Sequence, residues 1–266
     1  MAGGEITFRE MPVVRCPSVA DFHARFVDRG EPVVIRGAID HWPALGRWSP
    51  EDFVARFGDV RTQAYAMDAG RIVLDRALGF RLVSLSFREY VEHLAQAEGK
   101  PRFYLRARLG ALLPELMREI EIPSYCAERL ALRHNLWFSG EGTITSLHFD
   151  LPHNLIAQVH GQKRFYLFSR GESDKLYPEP WISSVPHLAR VDPENPDYAR
   201  FPRLRRAQGV ACTLSPGDLL FIPSRCWHHA RSVTASISTN FWWATPALYP
   251  FIRLSDAYKR VRGLNI

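Results

Sequence analysis

The pattern of hydrophobic and polar positions changes near residue 131. From there to residue 246, short runs rich in β-branched and aromatic residues alternate with turn sequences such as HGQK at 160–163 and SPGD at 215–218. Runs of this kind predict antiparallel strands, which we expect at 136–139, 143–149, 154–160, 164–168, 211–214, 219–222 and 236–243. A series of short strands in one region is typical of a β-sandwich or barrel.

The segments on either side of this region carry helix and strand signals. SPEDFVARF at 49–57 and SFREYVEHLAQ at 86–96 each begin with a serine in the N-cap position and predict helices. EPVVI at 31–35 and RFYLR at 102–106 predict strands. Apolar residues at helical spacing predict an amphipathic helix near the C-terminus.

These elements predict a single domain over 1–266 that is mainly β with flanking helices. Its parts are a mixed α/β portion at 1–130, a β core at 131–246 and a C-terminal helix at 247–266. One connection in the core, residues 170–208, is too long for an ordinary loop and is rich in proline, charge and aromatic residues. We expect a lid or an interface there, with Tyr177, Trp181, Tyr198 and Phe201 as contacts for a macromolecular substrate.

The amino-acid composition is typical of a folded globular protein. With 46% hydrophobic and 23% charged residues, the 266-residue chain has ample material for a core and is not a disordered tail. No apolar run approaches the roughly 20 residues that cross a bilayer, and the N-terminus does not resemble a secretory signal. We expect a soluble, cytoplasmic protein without a membrane partner.

The net charge of +6 is a modest excess, and 30 of the 34 basic residues are arginine. Nucleic-acid binding requires basic residues clustered on one face. The one dense cluster is the group Arg200, Arg203, Arg205 and Arg206. A nucleic-acid partner is therefore less favoured than a protein or peptide.

Candidate metal ligands stand at two places in the chain. His148 and Asp150 are two residues apart, so on a strand both side chains project to one face. His228 and His229 follow 78 residues beyond Asp150, at the end of the strand-like run that begins with GDLLFI. Two histidines and one carboxylate with open positions form the facial triad of non-haem Fe(II) oxygenases. The four cysteines lack CxxC spacing and predict neither a zinc site nor a disulfide framework.

Several motifs in order along the chain resemble a known family. They are PVVIRGAIDHWPAL at 32–45, HFD at 148–150, NLIAQVHGQKRFYLF at 154–168, NPDYARFP at 195–202, GDLLFIPSRCWHH at 217–229 and FWWATP at 241–246. The chain resembles the JmjC or cupin-like 2-oxoglutarate dioxygenases, and most closely the asparaginyl hydroxylases of the factor-inhibiting-HIF type. The resemblance implies a double-stranded β-helix, the jelly-roll of the cupin-like JmjC fold.

The resemblance also assigns roles to residues. It implies that iron is bound by His148, Asp150 and His228, while His229 points away. It implies that 2-oxoglutarate is bound by Lys163 together with Tyr104 and Thr145, and that Asn154, Asn240 and Trp242 line the same cavity. Thr145 lies three residues before His148 and would face away from the metal on a regular strand, so a β-bulge is required between them.

The implied activity uses Fe(II), 2-oxoglutarate and O2 to hydroxylate an amino-acid side chain in a protein or peptide. Three alternatives remain open: demethylation of N-methyl-lysine, hydroxylation of a modified tRNA base, and a non-catalytic cupin-like binding module. The C-terminal region has room for one helix where the asparaginyl hydroxylases use a helical pair to dimerise, which argues against dimerisation by that mode. A homodimer as such stays open.

Overall fold

The computed structural model describes residues 5–75, 79–97, 101–126, 131–183 and 185–261. Its strands, in chain order, are β1 (Thr7–Glu10), β2 (Val13–Arg15), β3 (Val33–Arg36), β4 (Arg61–Asp68), β5 (Arg71–Ile72), β6 (Leu74–Asp75), β7 (Gly79–Phe80), β8 (Leu82–Ser86), β9 (Phe103–Arg108), β10 (Ala131–Ser139), β11 (Ile144–Phe149), β12 (His153–His160), β13 (Lys163–Phe168), β14 (Gln208–Leu214), β15 (Leu219–Ile222), β16 (Trp227–Ser232) and β17 (Ser236–Trp243). The α-helices are α1 (Val19–Phe22), α2 (Pro50–Phe57), α3 (Phe87–Ala95), α4 (Leu109–Leu112) and α5 (Tyr249–Val261). A π-helical turn, His23–Val27, follows α1 directly.

Strands β10 to β17 form a double-stranded β-helix. Consecutive strands along the chain lie in opposite sheets, except β13 and β14, which are neighbours in one sheet. One sheet has the order β14-β13-β16-β11 and the other has the order β15-β12-β17-β10. Every neighbouring pair within these two sheets is antiparallel. The jelly-roll fold expected from the resemblance is confirmed.

Strands of the N-terminal portion extend both sheets. β9, β4 and β8 continue the β10 sheet on one side, and β3 and β2 add to β15 on the other. β1 pairs in parallel with β14. β5 is hydrogen-bonded to both β4 and β11, and it therefore joins the two sheets at one end.

The central strands are buried on both faces. Along β12, Leu155 belongs to the hydrophobic cluster beneath the helices, whereas its neighbour Ile156 belongs to the cluster between the two sheets. Along β15, Phe221 and Ile222 divide in the same way. This is why LLFI at 219–222 is a continuous apolar run and does not alternate with polar residues.

Two helices predicted from serine caps are confirmed. Ser49 accepts a hydrogen bond at its side-chain oxygen from the Asp52 N–H (3.1 Å) at the start of α2. Ser86 and Glu89 form a reciprocal capping box at the start of α3. The two helices pack through Phe53 in α2, whose ring lies 5.5 Å from that of Phe87 in α3. None of the helices in the described ranges has the length and apolar character needed to span a membrane.

The placement of His228 at the end of the GDLLFI run was wrong. β15 ends at Ile222, and a turn in which Arg225 has a φ of 60° leads into the separate strand β16. The Arg225 N–H donates to the Asp150 carbonyl (2.8 Å), which ties this turn to the end of β11. WHHARS has few β-branched residues and no clear alternation, so the sequence pattern did not reveal β16.

The long connection at 170–208 packs as an extra layer on the β11 sheet. It has two 3-10 helices, Arg170–Lys175 and Pro202–Arg206, and its own small core that includes Leu176, Phe201 and Leu204. Tyr177 and Tyr198 also pack here, covered by the guanidinium groups of arginines at 4.6 and 4.3 Å. Of the four aromatic residues expected to contact a substrate, only Trp181 is free of this packing, and it is 86% exposed.

Candidate active site

A cavity of about 550 Å³ opens between the two sheets of the double-stranded β-helix. All nine side chains predicted for the site line it: Tyr104, Thr145, His148, Asp150, Asn154, Lys163, His228, Asn240 and Trp242. They come from six strands, β9, β11, β12, β13, β16 and β17, and from the segment after β11. The fold therefore brings together the residues that the sequence motifs singled out.

The three predicted metal ligands meet where β11 pairs with β16. His148 lies directly opposite His228 in this pair, with ring centroids 4.1 Å apart. Asp150 follows the end of β11, and its Oδ2 is 3.7 Å from Nε2 of His228. One ligand atom from each of the three side chains lies within 4.8 Å of the others, close enough to hold a single metal ion.

Both histidines are oriented by the same type of hydrogen bond. Nδ1 of His148 lies 2.8 Å from the Ser146 carbonyl, and Nδ1 of His228 lies 3.0 Å from the Cys226 carbonyl. Because a carbonyl can only accept, each Nδ1 carries the proton and each Nε2 keeps its lone pair. Burial and the neighbouring His148 hold the pKa of His228 well below its usual range, which keeps the ring neutral.

This donor set suits a divalent cation of the iron type. Two neutral imidazoles and one carboxylate supply three ligands on one side of an ion and leave the other positions open. The nearest cysteine, Cys226, is buried, and burial raises the pKa of its thiol to about 12, so it is a poor ligand. The residues therefore fit the metal that the family motif implies.

A β-bulge brings Thr145 to the same side as His148. Thr145 pairs with Ala230 and His148 pairs with His228, so β11 spans three residues where β16 spans two. The extra residue reverses the face on which the following side chains project. The bulge that the sequence required is present.

Lys163 begins β13 and is deeply buried, with 4% of its surface exposed. Its Nζ donates a hydrogen bond to Ser238 Oγ (3.3 Å), and it forms no ion pair with a carboxylate in the ranges that the structure describes. Burial without a countercharge lowers its pKa to about 7. A buried ammonium that lacks an anionic partner is suited to bind the carboxylate of a ligand.

Hydroxyl groups surround the Lys163 ammonium. Nζ lies 5.8 Å from the ring centroid of Tyr104, and the Tyr104 hydroxyl is hydrogen-bonded to Thr145. Burial raises the pKa of Tyr104, which therefore stays a neutral donor. Together with Ser238, these groups can donate several hydrogen bonds to one carboxylate.

The two predicted asparagines form part of a buried amide network. Asn240 Oδ1 accepts hydrogen bonds from Asn135 Nδ2 (3.1 Å) and Trp137 Nε1 (2.9 Å), and Asn240 Nδ2 donates to Asn154 Oδ1 (2.9 Å). Asn240 thus uses its acceptor and one donor within the protein and mainly holds its neighbours in place. Nδ2 of Asn154 has no protein partner in the described ranges and is the amide group left for a ligand.

His229 faces away from the cavity, as the alternation along β16 predicts. It is fully buried, and its Nε2 lies 3.1 Å from Glu194 Oε2 in the long connection. Glu194 also accepts from Arg231 Nε (2.7 Å), while Asp192 pairs with Arg71. These arginines neutralise the only other group of potential metal ligands in the described ranges, Asp192, Glu194 and His229.

The long connection contributes a wall of the cavity. Its residues 187–189 pair with β11 through backbone hydrogen bonds, from Phe149 N–H to the His187 carbonyl (3.0 Å) and from Ala189 N–H to the Leu147 carbonyl (2.9 Å). Pro186, His187 and Leu188 consequently line the cavity beside the metal ligands. The connection therefore borders the site, as expected of a lid.

Sequence reasoning missed several residues of the cavity. Ser238 lies two residues before Asn240 and Arg106 lies two residues after Tyr104, and both line the cavity. Because alternate residues of a strand share a face, this spacing was the signal that could have identified them. Asn135 and Trp137 reach the site through pairing of β10 with β17, which the sequence does not encode locally.

Comparison with known proteins agrees with this geometry. A family model described as a cupin-like domain matches residues 19–248. The chain is 35% identical over 240 residues to lysine-specific demethylase 8 of Xenopus tropicalis, an alignment that covers 88% of this chain and 53% of the relative. It is 34% identical over 245 residues to lysine-specific demethylase 8 of Danio rerio, covering 89% and 59%.

A relative of similar size is the bifunctional peptidase and (3S)-lysyl hydroxylase of Homo sapiens. It is 28% identical over 282 residues, and the alignment covers 94% of this chain and 89% of the relative. By contrast, the chain spans only 53% to 60% of the length of the demethylase 8 proteins and of a Drosophila melanogaster relative. The wider family is confirmed, and the closer likeness to asparaginyl hydroxylases stays a prediction. The chain belongs to the cupin-like, JmjC-type family of Fe(II)- and 2-oxoglutarate-dependent oxygenases.

Proposed function

We propose that this chain hydroxylates an amino-acid side chain of a protein or peptide, using Fe(II), 2-oxoglutarate and O2. In the overall reaction one oxygen atom of O2 enters a C–H bond of the substrate and the other enters succinate, while 2-oxoglutarate loses CO2. Iron, when bound by His148, Asp150 and His228, supplies the oxygen activation. The chain itself binds, orients and shields the reactants.

One observation carries this proposal. The three potential metal ligands and the unpaired ammonium of Lys163 open into the same cavity. A metal site alone would fit many functions, and a buried lysine alone would fit many anions. Their combination supports a cosubstrate that has a metal-chelating end and a distal carboxylate.

Each residue of the cavity then has a defined task. Lys163 pairs with the distal carboxylate of 2-oxoglutarate, and Ser238 and the Tyr104–Thr145 pair donate hydrogen bonds to it. The amide network around Asn240 fixes the wall of β17 beside the metal ligands. Leu188 and neighbouring residues of the long connection cover the site and limit access of water.

Demethylation of N-methyl-lysine is the second candidate. It is supported by the names of the demethylase relatives and uses the same iron chemistry. The (3S)-lysyl hydroxylase relative supports hydroxylation instead. The products separate the two, because hydroxylation adds the mass of one oxygen atom to a peptide, whereas demethylation removes a methyl group and releases formaldehyde.

The direct test is formation of succinate from 2-oxoglutarate by the metal-loaded protein, compared between His228→Ala and His229→Ala. Loss of the His228 ligand should abolish turnover. His229→Ala should retain most of it, since that ring faces away from the cavity. Equal loss in two variants that both remain folded by circular dichroism would contradict the assignment of His228.

A further inference from the structure

Arg106 places a positive charge in the wall of the cavity. It lies on β9 two residues after Tyr104, and its guanidinium group covers the rings of Tyr65 (5.4 Å) and Trp137 (5.7 Å). It is half-buried, and in the described ranges it forms no ion pair with a carboxylate. Stacking on two aromatic rings holds the group in place while its N–H donors stay available for a ligand.

The other charges of the site cancel one another if the proposed function is correct. The positive charge of a ferrous ion and the Lys163 ammonium together balances the negative charge of the Asp150 carboxylate and the two carboxylates of 2-oxoglutarate. Asp150 is also the only acidic residue among the described residues that line the cavity. The charge of Arg106 is therefore the one left uncompensated when both cofactors are bound.

The same arrangement is unfavourable for a cationic substrate. A lysine or arginine side chain would be repelled by the Arg106 guanidinium group and would need a carboxylate to pair with. Apart from the metal ligand, the described part of the cavity wall offers no carboxylate. Arg106 covers one face each of Tyr65 and Trp137, so a cation would have to use other rings of the wall such as Trp242.

The surface beyond Arg106 is basic as well. A shallower depression of about 440 Å³ adjoins it, and Arg106 lines both this depression and the active-site cavity. Arg61 and Arg108 lie in the same depression, and Arg61 also pairs with Glu89 (3.6 Å). A substrate peptide whose side chain enters the cavity past Arg106 would thus place the residues on either side of it next to further arginines.

We propose that the side chain that is hydroxylated is an aspartate or glutamate in an acidic segment of a protein, and that Arg106 selects it by pairing with its carboxylate. This inference rests on the proposed function and names its substrate class. One oxygen atom of O2 would enter a C–H bond of that acidic side chain, and the other would enter succinate as 2-oxoglutarate loses CO2. Arg106 is then the residue that determines specificity.

Three pools of peptides test the proposal. All pools have the same randomised flanking positions, and the fixed central residue is aspartate or glutamate, asparagine or glutamine, or lysine or trimethyl-lysine. Binding is measured by fluorescence polarisation with the protein loaded with metal and 2-oxoglutarate in the absence of O2, so that Lys163 is occupied. Peptide-dependent succinate formation is measured with the same loaded protein in the presence of O2. The acidic pool should bind at least about tenfold more tightly than the lysine pool, as expected for charge-assisted hydrogen bonds.

Charge reversal provides the reciprocal test. Arg106→Glu should invert the preference towards the lysine pool, and Arg106→Gln should remove it. Arg164→Gln is the matched control, because Arg164 is an exposed arginine next to Lys163 on the opposite face of β13. It should keep the preference of the original chain. Circular dichroism and thermal melting check that each variant is folded.

The outcomes separate this inference from the proposed function. A preference of the original chain for the lysine pool, or equal binding of all pools, would overturn the role of Arg106 even if 2-oxoglutarate turnover without peptide is normal. An acidic preference that survives in folded Arg106→Glu would also overturn it.

A capped single aspartate that binds as tightly as the peptides would overturn the assignment of a peptide substrate. Absence of 2-oxoglutarate turnover would contradict the proposed function. The fluorescence polarisation measurements of peptide binding would still decide the role of Arg106.

Discussion

Lys163 has a strongly lowered pKa, and this shift leads to two testable predictions. Burial lowers its pKa to about 7, so a large fraction of the unliganded protein has a neutral lysine at slightly alkaline pH. A bound carboxylate stabilises the ammonium form. Binding of 2-oxoglutarate should therefore be coupled to uptake of a proton by Lys163.

This coupling predicts that the affinity for 2-oxoglutarate falls as the pH rises above about 7, by up to about tenfold for each pH unit while the bound form stays protonated. Calorimetric titrations over a range of pH, in buffers that differ in ionisation enthalpy, measure both the affinity and the proton uptake. An affinity that does not change between about pH 7 and 9 would remove Lys163 from the cosubstrate site.

A stability measurement tests the same residue without cosubstrate. Because the pKa of Lys163 is lower in the folded protein than in the unfolded chain, protonation destabilises the fold, fully below about pH 7 and progressively less as the pH approaches about 10. Lys163→Met should therefore raise the free energy of unfolding by roughly 1–4 kcal/mol at low pH and by less at high pH. Urea denaturation measures this, and a loss of stability at neutral pH would contradict the account.

Individual side chains were predictable where a motif fixed them. HFD at 148–150 and the lysine of QKRF predicted two metal ligands and an anion site, and the side chains concerned line one cavity. Arg106 and Ser238 were missed because an arginine or a serine on a strand carries no motif of its own. Their importance follows from pairing between strands that are far apart in sequence.

At the scale of elements, local signals predicted the helices well and β16 poorly. The serine caps at Ser49 and Ser86 correspond to real hydrogen bonds, because capping depends on residues three positions apart. β16 depends on its partners β11 and β13, and its sequence WHHARS contains the proposed metal ligand His228 and no β-branched residue. Function and strand propensity conflict at this point in the chain.

The capping box of α3 gives a quantitative prediction. Ser86→Ala removes the acceptor for the Glu89 N–H and should lower the free energy of unfolding by about 1 kcal/mol. Ser84→Ala, in the adjoining strand, is the control, because the Ser84 side chain has no such role in the described structure. Urea denaturation of both variants makes the comparison, and equal stabilities would contradict the capping role.

The long connection should depend on Glu194 for its position. Glu194 accepts hydrogen bonds from His229 and Arg231 of β16, and these partners lower the pKa of its carboxyl. Its contribution is present above the ordinary pKa of glutamate and is lost as the pH falls through the lowered value. Glu194→Gln should therefore speed hydrogen exchange in residues 185–191, and the exposed Glu141→Gln should not. Unchanged exchange in Glu194→Gln would show that the connection is held by its apolar packing alone.

At the scale of the whole molecule, the order of strands was predictable only through the family resemblance. Alternating short strands indicated a sandwich or barrel, but the sequence pattern does not encode which strands pair across the two sheets. The pairing of β11 with β16 and of β12 with β17 creates the cavity, and both pairs join residues about 80 positions apart. The site is thus a property of the complete fold.

The central claim is that one metal ion is held by His148, Asp150 and His228. The most direct test is calorimetric titration with a divalent metal such as Mn²⁺, comparing the original chain with Asp150→Ala and Asp192→Ala. Asp192 belongs to the second group of potential ligands, whose carboxylates already pair with arginines. We expect one ion for each chain in the original protein and in Asp192→Ala, and no measurable binding in Asp150→Ala. Binding that persists in folded Asp150→Ala, or disappears in folded Asp192→Ala, would contradict the account.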